Sequence, residues 1–126
     1  MFLYYENKFE IRPNENPKIT IVPSSIADKE EILNFYAQEL NFPEYFGENW
    51  DAFNECITDL NWLSQKLIKI IHTDIPLINF NDKKIYIDLL EEAVISWKDE
   101  NEHQLFVYFP ESTKDQILEV LKSPSF

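Results

Sequence analysis

The chain has 126 residues, 44% of them hydrophobic and 15% aromatic. That length and composition support one compact domain with a real core, and exclude a disordered acidic tail, which lacks the apolar surface to offset chain entropy. Eleven Lys and Arg stand against 23 Asp and Glu, a formal net charge of −12 that disfavours nucleic acid and anionic membranes and favours a cationic partner.

The first apolar run, Phe2 to Tyr5, is broken at Glu6 and Asn7 and does not make a signal peptide. No apolar segment reaches the roughly 20 residues that span a bilayer, so a cytoplasmic protein is expected. Residues 8–12, KFEIR, alternate with period two and predict an added edge strand or hairpin. The PNENP at 13–17 is the nearest thing to a linker. Residues 18–22, KITIV, predict a strand ended by Pro23. Asp28 with Glu31 forms a capping-box pattern opening a helix from about 29 to 40, with Ile32, Leu33, Phe35, Tyr36 and Leu40 on its core face.

A loop follows, and a second helix is predicted from Trp50 to Leu60. Residues 66–72, KLIKIIH, form a dense apolar run suited to a strand covered on both faces. The segment 74–80 reads equally as a loop or, through Pro76, as the first turn of a short helix. Residues 84–98 show a helical period, 104–109 predict another strand, and 112–121 predict a capped terminal helix with Ile117, Leu118 and Leu121 inward. Strands alternating with helices imply crossover connections. The expected fold is α/β, a single domain over 1–126 built on a small three-stranded parallel sheet packed with helices, with the extra N-terminal strand and C-terminal helix as additions.

Residues 42–59, FPEYFGENWDAFNECITD, hold the one glycine, Gly47. Pro43 disfavours helix at Phe42, and Gly47 is expected to take a positive φ at a sharp turn into the second helix. Asn49 is a good N-cap, which makes Trp50 the first helical residue. Trp50, Phe53, Ile57 and Leu60 form a buried stripe that Ala52 and Cys56 widen. Asp51, Glu55 and Asp59 stack four apart on a neighbouring face, where like charges oppose the helix by roughly 0.2–0.5 kcal/mol per pair. From Glu30 to Gln65 the chain carries eight carboxylates and no Lys or Arg. A solvated acidic face is the plain explanation. An acidic stripe rimmed by Tyr45 and Phe46 is also how an interface for a basic protein is built.

The segment PEYFGENWDAFNECITDL resembles the signature of the barstar family, inhibitors of small secreted microbial ribonucleases. The family order is Pro-Glu-Tyr-aromatic-Gly-Glu-Asn-x-Asp-Ala, then an acidic residue followed by Cys-Leu-Thr. The order of elements agrees over about 18–109, leaving 1–17 and 110–126 as extensions. The resemblance implies an inhibitor that occludes a ribonuclease active site with this helix and loop, a carboxylate mimicking the substrate phosphate. By position, Tyr45 matches a contacting tyrosine, Asp51 the first helix aspartate, and Glu55 the central inhibitory aspartate, one methylene longer here. Asn54 stands where the family has a tryptophan. A second family tryptophan aligns with Leu60, and Trp62 lies two residues on. A family glutamate before the final strand has its nearest counterpart in Asp99, within WKDE at 97–100.

The expected partner is therefore a basic protein, a small ribonuclease toxin, bound through Tyr45, Phe46, Gly47, Asp51, Asn54, Glu55, Asp59, Trp62 and Asp99 by a chain that is monomeric when free. No nucleic acid, membrane, metal or cofactor is expected. The alternative is a barstar-fold interaction module for a basic partner that is not a ribonuclease. An acid–base enzyme is disfavoured, because nothing supplies a nucleophile or oxyanion donors beside the carboxylates. The single Cys56 excludes an internal disulfide and should be an inert buried thiol. His72 and His103 read as structural or surface residues.

Overall fold

The computed structural model describes residues 1–6, 16–43, 47, 49–98 and 103–124. Its strands are β1 (Leu3–Tyr5), β2 (Lys18–Val22), β3 (Leu67–His72) and β4 (Gln104–Pro110). Its helices are α1 (Lys29–Glu39), α2 (Trp50–Asp59), α3 (Phe80–Lys98) and α4 (Lys114–Lys122). The strands form one parallel sheet in the order β1-β4-β3-β2, an α/β fold as expected. Among the described residues the sheet has four strands, the three expected and an extra N-terminal one. That added edge is Leu3–Tyr5, not a segment the sequence marks as a strand; the strand expected at 8–12 lies outside the described residues.

Register explains the core. Leu3 faces Tyr108, Tyr108 faces Ile71, and Ile71 faces Ile21 across the sheet. In β4 the buried residues Leu105, Val107 and Phe109 alternate with half-buried Phe106 and Tyr108, as a pleated strand requires. In β3, Ile68 through His72 are all buried, Lys69 included, as the dense apolar run predicts for a central parallel strand. Phe2 tucks against Phe109, with ring centroids 5.2 Å apart, and seats β1 on that edge.

Helix ends follow local chemistry. Asp28 caps α1 by accepting from the Glu31 amide at 2.9 Å, while Glu31 reaches back to the Ala27 amide rather than to Asp28. The ambiguous 74–80 segment is irregular up to Asn79, which caps α3 by accepting from the Asp82 amide at 2.9 Å. Helix α3 thus begins four residues before the apolar period at 84 announces it. At the C-terminus the expected Ser112 cap is absent: a 3₁₀ turn over Glu111–Thr113 leads into α4 without a side-chain cap. Ile117 and Val120 are the buried residues of α4 and Leu121 is half-buried on the same face, while Leu118, expected inward, is exposed, because it lies about 100° round the helix from Ile117. Lys84 is buried between the two helices, paired with Asp88 at 3.0 Å and donating to the Leu121 carbonyl at 3.2 Å, which ties down the end of α4.

Beneath α1, α2 and α3 lies a polar chain inside the core. His72 Nδ1 is 3.0 Å from the Tyr108 carbonyl, which can only accept, so Nδ1 carries the proton. His72 Nε2 then accepts from the Tyr86 hydroxyl at 2.6 Å, and the Tyr86 oxygen accepts from the Tyr36 hydroxyl at 2.6 Å. The imidazole stacks on Phe109 at 3.9 Å, and Tyr5 donates to the His72 carbonyl. Burial pushes both the Tyr36 and Tyr86 phenols up, so both remain donors. His72 is structural, and His103 packs edge-on against Trp97.

Candidate functional site

Helix α2 begins where the sequence places it. Asn49 is extended, with φ −136°, and its Oδ1 accepts from the Ala52 amide at 2.8 Å. Gly47 is not left-handed; the positive-φ residues described are Asn41 and Leu60. The space beside the glycine is taken by the capping side chain. A Cβ there would lie 3.2 Å from Asn49 Nδ2, the side chain that caps the helix. Asn49→Ala should lower stability by about 1 kcal/mol, read as a lower urea midpoint. Gly47→Ala should cost less, since the Asn49 amide can shift by a few tenths of an ångström.

The inward stripe is Phe53, Cys56, Ile57 and Leu60, all buried. Leu60 closes the helix in a left-handed conformation at φ 50° and is wholly buried, so the position that aligns with a family tryptophan belongs to the core here. Burial, and then the Glu55 and Asp59 carboxylates, push the Cys56 thiol up, which suits an unreactive cysteine.

Outward, Asp51, Glu55 and Asp59 are all exposed. At 1.5 Å rise per residue they extend about 12 Å along the helix. Among the described residues none of the three is in an ion pair; those present, Met1 ammonium with Glu91 and Lys84 with Asp88, lie on other elements. Among the described residues the stripe is negative charge without an ion-pair partner, with Asp51 beside the positive end of the helix dipole. Asn54 is half-buried, and its carbonyl accepts from the Thr58 hydroxyl at 2.8 Å.

Of the other expected site residues, Gly47 is exposed next to the N-cap. Trp62 is half-buried, its indole donating to the Leu40 carbonyl at 2.8 Å and meeting Phe42 edge-on. Tyr45, Phe46 and Asp99 lie outside the described residues. The structure thus brings Gly47, Asp51, Asn54, Glu55 and Asp59 onto or beside one helix and sets Trp62 just beyond its end.

Helix α3 holds α2 at both ends. The Trp50 indole donates to Asp82 Oδ1 at 3.1 Å, and the Trp97 indole donates to the Ile57 carbonyl at 3.0 Å. Trp50 is half-buried rather than fully in the core, because its indole N–H reaches that carboxylate. Asp82 was missed by sequence reasoning; the Asn79-x-x-Asp82 capping spacing is the signal that could have found it. Among the described residues no group of three His, Cys, Asp or Glu is placed to hold a metal ion, and no helix is long and apolar enough to cross a membrane.

Comparison with protein families matches residues 16–110 to barstar, the barnase inhibitor. The chain belongs to the barstar family. The match ends at Pro110, the last residue of β4, so β1 and α4 lie outside the barstar-family segment while α2 lies within it. Comparison with curated proteins finds no match.

Proposed function

We propose that this barstar-family protein is a cytoplasmic inhibitor of a basic ribonuclease, acting as an immunity protein or antitoxin. The carrying observation is the exposed Asp51–Glu55–Asp59 stripe, without an ion pair among the described residues, on a helix held at both ends by α3. A ribonuclease active site must hold phosphate with cationic side chains. A fixed row of carboxylates enters it as an anion substitute and excludes RNA, with Glu55 and Asp51 as the phosphate mimics. Gly47, Asn54, Asp59 and Trp62 border that contact, and Tyr45, Phe46 and Asp99 complete it by family position. The role is binding, with no catalysis by this chain.

The test is RNA cleavage by barnase titrated with this protein, alongside the association rate at rising salt. Stoichiometric loss of cleavage is expected. The association rate should fall steeply between low and physiological ionic strength, because the Debye length shrinks to about 8 Å at 0.15 M. Salt-insensitive association would count against a steered acidic site. The departures at Asn54 and Glu55 favour a second reading, a module for a basic partner without nuclease activity. A basic protein captured at low salt that cleaves no RNA would support it.

A further inference from the structure

We propose that Asp82 is a positioning residue for the α2 binding face, acting through Trp50; the consequence for binding rests on the inhibitor reading above. Trp50 is the first residue of α2 and immediately precedes Asp51. Its indole is located from three sides. The N–H donates to Asp82 Oδ1 at 3.1 Å, and the ring meets Phe53 edge-on at 5.7 Å and Tyr86 at 6.1 Å. Asp82 is itself immobilised: Oδ2 accepts from Asn79 Nδ2 at 2.9 Å, while the Asp82 amide donates back to Asn79 Oδ1. One carboxylate therefore joins the first turns of α2 and α3.

Fixing Trp50 orients the first turn of α2, and with it Asp51, the next residue in the chain. At the far end the Trp97 indole holds the Ile57 carbonyl, so Asp82 controls the N-terminal end alone. The arrangement is preorganisation: side chains held before binding lose less freedom on contact. Asp82 is half-buried and its outer oxygen is already bonded to Asn79, so its role is to set the helix rather than to touch the partner.

The test compares Asp82→Ala with Asp82→Asn, which remove the same charge while only Asn keeps an acceptor for the indole. In free protein, amide exchange at Phe53 and Asn54 should speed up about tenfold or more in Asp82→Ala, from the loss of a charge-assisted hydrogen bond. Exchange at Ile57 should stay unchanged, and Asp82→Asn should restore most of the protection. Equal exchange in all three proteins, or a uniform rise along α2, overturns the proposal. With barnase as probe, both variants should lose association rate alike, and only Asp82→Ala should dissociate faster. Equal dissociation rates would overturn the positioning of the binding face. If wild-type protein does not bind barnase, inhibition of that enzyme fails on its own, and exchange still decides whether Asp82 sets α2.

Discussion

Glu55→Ala should weaken capture of the ribonuclease by about two to three orders of magnitude, while Glu92→Ala should change it little. Both substitutions remove one carboxylate and alter net charge equally, so long-range steering changes by similar amounts. They differ in place. Glu55 is the exposed middle member of the α2 stripe, without an ion pair among the described residues, whereas Glu92 is exposed on α3 outside the family signature. Removing one partner of a desolvated charge pair costs about 2–5 kcal/mol, a range to which the barnase–barstar pair itself contributed. Most of that loss should appear as faster dissociation, because the cationic group left behind stays buried without its counter-charge. Glu55→Gln should behave nearly as badly, since it keeps the shape and loses the charge. Equal losses at Glu55 and Glu92 would remove α2 as the site.

The second large effect is acid instability centred on His72. Burial holds its pKa down to about 3, against about 6.5 in an unfolded chain. The folded value is depressed, so the unfolded state takes up the proton first. Stability is full above pH 6.5 and is lost as pH falls from there toward 3. The loss should reach about 2 kcal/mol by pH 5, a large part of the 5–15 kcal/mol typical of a domain. Urea midpoints measured between pH 7 and 5 in the wild type and in His72→Gln separate the contribution of this imidazole from that of every other group. His72→Gln lowers stability throughout through poorer packing, but its slope over that window should be flatter. A flat wild-type profile would show that His72 ionises without cost. Because Tyr86 touches His72, Trp50 and Phe53, acid should also loosen the floor beneath α2.

Much of this was legible in the residues. KITIV, LIKIIH and QLFVYF became strands because β-rich apolar runs between turn signals leave few alternatives, and Asn49 became a cap because its side chain satisfies an amide that the helix cannot. Leu3–Tyr5 was not read as a strand, since three residues carry no measurable period and its partner lies near the far end of the chain. Gly47 invited the usual argument from backbone freedom, yet its φ is not left-handed, and what a Cβ there would meet is the Asn49 side chain, which only coordinates reveal. The acidic face of α2 could be read from spacing. Its attachment to α3 could not, because Trp50–Asp82 and Trp97–Ile57 join residues more than thirty positions apart.

The strand order carries a consequence for how the molecule is made. Leu3–Tyr5 is synthesised before β2 and β3, yet it bonds to β4, which follows both in the chain. A segment with so distant a partner must wait, with the loop-closure entropy of nearly the whole chain set against it. Helix α2 meets α1 and α3 through nearer contacts, so its acidic face can assemble while the other edge of the sheet is still open. The candidate binding surface would then form before the fold is complete.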